Sequence, residues 1–124
     1  MIKQNYHTHT YYCDGKNSPE EMVVKAIESG FDILGFSGHG HTAIDESYCM
    51  SLENTRKYID DIAVLKEKYK DKILLLCGIE QDVVSDDDIS EFDYAIGSSH
   101  YILRGNSFYP VDGSVEEFDY LVNN

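Results

Sequence analysis

Residues 73–80 read Ile73-Leu74-Leu75-Leu76-Cys77-Gly78-Ile79-Glu80: an uncharged apolar run that ends in a carboxylate. A short run that is apolar at every position has the pattern of a strand covered on both faces in a parallel sheet. Parallel strands need crossover connections, usually helices, and helical patterns lie between the apolar runs of this chain. Upstream, Ser18-Pro19-Glu20-Glu21 supplies an N-cap, a proline suited to the first helical turn and two acids at the positive end of the helix dipole. Met22, Val23, Ala26 and Ile27 then form an apolar stripe, and Gly30 stops the helix. A strand is predicted to end near Tyr6-His7, and a second over Ile33 to Ser37. A longer helix is predicted from about Leu52 to Tyr69, its stripe made by Leu52, Ile59, Ile62, Ala63 and Leu65.

Downstream, Asp86-Asp87-Asp88 reads as a solvated acidic turn or the start of a short helix, and Tyr94 to Ser99 as a fourth strand. Tyr101 to Tyr109 has the pattern of a hairpin around Gly105-Asn106, and Ser114-Val115-Glu116-Glu117 starts a last helix. The order βαβαβ(α)β implies an α/β fold with a parallel sheet or barrel. A complete (β/α)₈ barrel takes roughly 250 residues. At 124 residues the chain has the expected size of half a barrel, one domain over 1–124 that reads as interrupted at Asn123-Asn124.

Composition narrows the function classes. Hydrophobic residues make up 42% of the chain, enough for a core. Ten basic against 23 acidic residues give a net charge of −13, which repels phosphate backbones and argues against nucleic-acid binding. No apolar run approaches the ~20 residues that span a membrane, and the N-terminus lacks the apolar core of a signal peptide. Cys13, Cys49 and Cys77 are odd in number and lack CxxC spacing, so a reduced cytoplasmic setting is expected, with Cys77 a buried small hydrophobe.

The chemistry sits where the strands end. His7 and His9 close the first strand, and side chains two apart point to one face, so both imidazoles can reach one ion. Asp14 places a carboxylate on the adjoining loop, in Cys13-Asp14-Gly15. His39 and His41 flank Gly40 after Ser37-Gly38, where glycines let the backbone approach a ligand. His41 reads either as a ligand or as a solvated loop residue. Glu80 would be a buried charge that has to be paired or coordinate a metal. His100 follows Gly97-Ser98-Ser99 and reads as a ligand or a satisfied core histidine. His and carboxylate groups at four strand ends form the pattern of a polynuclear metal site, and thiolate-free imidazole and carboxylate donors suit Zn, Mn or Fe.

The runs HTHTYYCDG, GFSGHGH, GIEQD and IGSSH together resemble the PHP (polymerase and histidinol phosphatase) superfamily, most closely its histidinol-phosphatase branch. The resemblance covers the whole chain but only the first half of the family's fold. It implies the N-terminal half of a distorted (β/α)₇ TIM-like barrel with up to three metal ions at its C-terminal face. His7, His9 and Glu80 would hold one ion, Glu80 would bridge to a second that His100 also binds, and Asp14 and His39 would hold the third. Glu80 and His100 are thereby the candidate catalytic groups. The family's later histidine, its closing Asp-x-His pair and most of its phosphate-binding basic residues have no counterpart within the 124 residues.

The implied activity is hydrolysis of a small phosphomonoester, L-histidinol phosphate to L-histidinol and phosphate in histidine biosynthesis, by metal-activated water. Arg104 is a candidate phosphate contact or a solvated side chain. The 124-residue chain itself is expected to be weakly active or inactive. Alternatives are a PHP phosphoesterase acting on nucleotides and a non-catalytic metal-binding half-domain. A half barrel leaves strand edges and a sheet face open, so self-association is expected.

Overall fold

The computed structural model describes residues 2–43, 47–81 and 89–97, together with the backbone of 101–104 and 107–110. Its elements are β1 (Gln4–Asn5), α1 (Pro19–Glu28), β2 (Ile33–His39), α2 (Leu52–Lys68), β3 (Leu74–Gln81), a 3₁₀ turn over Ile89–Glu91, β4 (Tyr94–Gly97), β5 (Tyr101–Arg104) and β6 (Ser107–Pro110). The first four strands form one parallel sheet in the order β1-β2-β3-β4, the sequential order of a half barrel. β5 and β6 pair antiparallel, as the hairpin pattern requires. Asp86-Asp87-Asp88, the Gly105-Asn106 turn and the predicted helix from Ser114 lie outside the described residues.

Local chemistry sets the helix ends. The Ser18 hydroxyl accepts from the Glu21 N–H while the Glu21 carboxylate accepts from the Ser18 N–H, a reciprocal capping box. Gly30 takes φ of +81°, the left-handed conformation that a helix stop favours. Ser51 caps α2 in the same way through the Asn54 N–H.

Alternation along the strands divides the sheet into two faces. One carries Leu34 and Phe36 of β2 and Leu75, Cys77 and Ile79 of β3, packed on Val23 and Ala26 of α1 and Tyr58, Ile62 and Leu65 of α2. Burying an aliphatic or aromatic side chain there contributes roughly 1.5–3 kcal/mol. Burial pushes the Cys77 thiol up to about 12, which makes it the inert buried hydrophobe expected. The buried stripe of α2 starts at Tyr58. Leu52 and Ala63, predicted to lie on it, are exposed, because they fall off the i, i+4, i+7 line of Tyr58, Ile62 and Leu65.

The other face carries Gly35, Ser37 and His39 of β2, Leu74, Leu76, Gly78 and Glu80 of β3, and Tyr94 of β4. Here Leu74 is 54% exposed and Leu76 half-buried while Gly78 and Glu80 are buried, so among the described residues β3 is covered on both faces only in its C-terminal half. The Tyr94 ring lies across Gly78 and Gly35, where any Cβ would overlap it, and its hydroxyl reaches the Tyr6 carbonyl at 2.5 Å and the Phe36 carbonyl at 3.1 Å. Tyr6 meets that ring edge-on at 5.9 Å.

Asp93 ties β4 to the rest. Its carboxylate accepts from the Cys77 N–H at 2.7 Å and the Lys66 ammonium at 2.5 Å. Burial works against this carboxylate, but those two donors outweigh it and hold its pKa below the usual range. Among the described residues no helix is long and apolar enough to cross a membrane.

Candidate metal centre

The site forms at the C-terminal end of the parallel strands. His39 and Glu80 are Cα partners in the β2–β3 register, on the same sheet face. Both lie within strands rather than beyond them: β2 runs to His39 and β3 to Gln81. β2 thus runs two residues past the predicted end at Ser37. A Cβ at Gly38 would meet the Met50 side chain at 3.1 Å and the Tyr58 ring at 3.4 Å, so this glycine faces the core.

β1 is shorter than predicted and its ladder stops at Asn5, so His7 and His9 follow it in extended chain. That segment is still tied to β2. The Ser37 N–H donates to the Thr8 carbonyl at 2.8 Å and the Thr8 hydroxyl donates to the Gly35 carbonyl at 2.8 Å. With Thr8 pinned, its two neighbours turn their imidazoles toward Glu80.

Asp14 arrives on a folded-back loop. The Thr10 carbonyl accepts from the N–H groups of Cys13 at 3.2 Å and Gly15 at 2.8 Å. A Cβ at Gly15 would lie 2.6 Å from the His9 carbonyl carbon, so only glycine permits this approach. The Tyr12 hydroxyl donates to Asp61 of α2, which anchors the loop from outside.

The resulting geometry is symmetrical in its chemistry. The rings of His9 and His39 stack at 4.3 Å, with 16° between their planes. On one side of the pair is Glu80: its Oε2 lies 2.9 Å from His39 Nδ1 and 3.5 Å from His9 Nε2. On the other side is Asp14: its Oδ2 lies 3.2 Å from His39 Nε2 and its Oδ1 3.8 Å from His9 Nδ1. His7 Nε2 completes the set at 3.1 Å from Glu80 Oε1. Two triads with ligand atoms within 4.8 Å of one another result, His7-His9-Glu80 and His9-Asp14-His39.

These donors fit divalent cations. Glu80 is only 5% exposed, and among the described residues none donates to its Oε2 with hydrogen-bond geometry. A neutral imidazole has one N–H and one lone pair. His9 and His39 each face a carboxylate with both nitrogens, so each must point a lone pair at an anionic oxygen unless a proton or cation lies between. Burial, then the neighbouring His39, lower the His9 pKa despite both carboxylates, which disfavours the proton.

Of the residues predicted for the site, His7, His9, Asp14, His39 and Glu80 come together here. His41 is buried, at 8% exposure, so its reading as a solvated loop residue is corrected. His100 lies outside the described residues, as does the Arg104 side chain. Cys13 is not among the residues predicted for the site, yet its Sγ stands 3.7 Å from His9 Nδ1 and 3.5 Å from Asp14 Oδ1. Tyr58 and Tyr94 were not singled out. A tyrosine on the core stripe of a helix is itself a signal, since its hydroxyl needs a buried partner.

A parallel half barrel with imidazoles and carboxylates gathered at its strand ends defines a class of metal-centred α/β proteins. The family model of the PHP domain matches residues 5–122, and the chain belongs to that family. Among curated proteins it is similar to the histidinol-phosphatase of Bacillus subtilis, 25% identical over 99% of this chain and 53% of that protein. It is also similar to the histidinol-phosphatase of Lactococcus lactis, 27% identical over 88% of this chain and 45% of that protein. The chain thus spans about half the length of the curated relatives it matches.

Among solved structures, a candidate histidinol phosphatase of Listeria monocytogenes superposes with a TM-score of 0.72 at 24% identity, covering 94% of this chain and 52% of its own. The histidinol phosphate phosphatase of Lactococcus lactis, solved with zinc, L-histidinol and phosphate, gives 0.68 at 28% identity, covering 84% of this chain and 41% of its own. The fold is therefore that of the N-terminal half of the TIM-like PHP barrel.

Proposed function

We propose that this chain carries one PHP domain portion whose side chains form most of the metal-binding half of a histidinol-phosphatase-type hydrolase. The observation that carries the reading is the stacked His9–His39 pair held between two carboxylates. The Lactococcus lactis neighbour, with zinc, histidinol and phosphate bound, supports the same metal and substrate class. In this reading His7, His9 and Glu80 hold one ion, Asp14 and His39 another, with His100 and His41 as further ligands. Divalent ions bound there would supply activated water and neutralise phosphate charge.

The chain's own residues do the rest. Glu80 fixes three imidazoles through one buried carboxylate. The Thr8 and Gly15 contacts set the depth of His7, His9 and Asp14. His7 and Asp14 are the open members of the set, their side chains 54% and 46% exposed.

The test is metal loading followed by ligand binding. Dialysed against Zn(II) or Mn(II) at neutral pH, the chain should retain metal. It should release that metal as the pH falls below the ~6.5 at which a free imidazole takes up a proton. Because the His9 pKa is lowered, its own contribution should persist below that value. Histidinol phosphate should bind the loaded chain and not the metal-free one, while turnover stays far below the ~10 per second typical of enzymes. No retained metal would defeat the proposal, and tighter binding of a nucleotide monophosphate would move it to the nucleotide reading.

Self-association belongs to the same proposal. Ala95 and Gly97 of β4 are exposed, and Leu74 is uncovered on the inner face. A second copy meeting these edges should give a mass above the monomer in light scattering, and a clean monomer at high concentration would exclude it.

A further inference from the structure

We propose that Tyr58 is a positioning residue of the metal centre, an inference that rests on the metal-binding reading above. Tyr58 is fully buried on α2, and its hydroxyl reaches into the seam between β2 and β3. It accepts from the Gly38 N–H at 3.1 Å and donates to the Gly78 carbonyl at 2.6 Å. Gly38 stands opposite Ile79 in the register, so this N–H and this carbonyl face each other across the parallel ladder. One residue beyond Gly38 is His39, and two beyond Gly78 is Glu80.

The same ring touches the third carrier of ligands. Tyr12 meets Tyr58 edge-on, with centroids 6.3 Å apart, and Tyr12 belongs to the loop that presents Asp14. One side chain therefore contacts the His39 strand, the Glu80 strand and the Asp14 loop. Metal–ligand distances in well-formed sites lie within about 0.2 Å of their typical values. A hydroxyl that fixes the spacing of two strands just before their ligands acts directly on those distances. An ordinary core residue would supply stability alone.

Tyr58→Phe keeps the ring and removes both hydrogen bonds. The probe is Co(II), whose visible absorption reports ligand geometry. The variant should bind Co(II) at least ~10-fold more weakly than the wild-type chain, as loss of supporting contacts does elsewhere, and with a shifted spectrum. Ile62→Val, a core change one turn further along α2, should lower the melting temperature and leave Co(II) affinity and spectrum unchanged. Wild-type affinity and spectrum in Tyr58→Phe would overturn the proposal and leave the metal reading standing. A wild-type chain that binds no Co(II) would remove the metal reading itself, and this inference with it. If Tyr58→Phe does not fold, 4-fluorophenylalanine placed at position 58 replaces it, filling the hydroxyl's place without its donor: a shifted spectrum supports the role, and an unchanged one overturns it.

Discussion

Replacing Glu80 by alanine should weaken Zn(II) or Mn(II) binding by roughly 100-fold or more, beyond the 10–100-fold typical of losing a supporting contact. Among the described residues Glu80 is the one carboxylate common to three imidazoles: Oε1 faces His7 at 3.1 Å, and Oε2 faces His39 at 2.9 Å and His9 at 3.5 Å. Without it, among the described residues, His9 and His39 keep Asp14, an exposed loop carboxylate, and His7 keeps none. The same substitution at His41 should cost less, since His41 belongs to neither ligand triad.

Stability should move the other way. A buried carboxylate is costly unless every oxygen is satisfied, and among the described residues none donates to Glu80 Oε2 with hydrogen-bond geometry. The isosteric Glu80→Gln should therefore melt, metal-free, at or above the wild-type temperature, while losing the stabilisation that metal gives the wild type. A structural salt bridge predicts the reverse, a loss of roughly 3–5 kcal/mol when one partner of a buried pair is removed. Thermal melts with and without chelator, beside a competition titration for Zn(II), separate the two. A large metal-free destabilisation with unchanged affinity would show that Glu80 serves the fold.

The parts of the site that could be read from the chain are those governed by period and charge. An apolar run that ends in Glu80 forces a choice between pairing and coordination, and strand alternation brings His39 to the same face. The extent of the strands was less legible. The ladder of β1 stops at Asn5, yet Thr8 continues the same offset to Ser37 through single bonds. No pattern in Ile2 to His9 distinguishes a strand from an extended segment that is hydrogen-bonded at intervals. The least legible contacts are those of single long side chains. Tyr58 and Tyr94 act across 20 and 58 residues of sequence, on Gly38 and Phe36. Their targets are backbone groups, which look alike at every position. The glycines that admit them are visible as glycines, but nothing local says which ring each one receives.

That pairing of glycine with ring is itself measurable. Gly78→Ala should cost roughly 2–3 kcal/mol, because the added methyl falls within the Tyr94 ring, which would have to move off its bonds to Tyr6 and Phe36. Gly35→Ala should behave alike, since its Cβ would meet the Tyr94 hydroxyl. Tyr94→Ala removes a half-buried ring and its bonds to Tyr6 and Phe36, a loss of about 2 kcal/mol, below the range for a fully buried aromatic. In the Tyr94→Ala background the alanine at 78 enters the space the ring vacates, and most of its cost should disappear. The double-mutant cycle should thus give a coupling of about 2 kcal/mol, read by urea denaturation. Simple additivity would mean that Tyr94 does not lie over Gly78. The coupling bears on function because this ring spans the sheet from β4 to the Tyr6 carbonyl, next to His7 in sequence, on the same inner face as His39 and Glu80. If Tyr94 holds β1 against β2 and β3, Tyr94→Ala should also weaken Zn(II) binding. The loss should be smaller than for Glu80→Ala, because Tyr94 sets the position of the His7 segment and offers no ligand atom to the cluster.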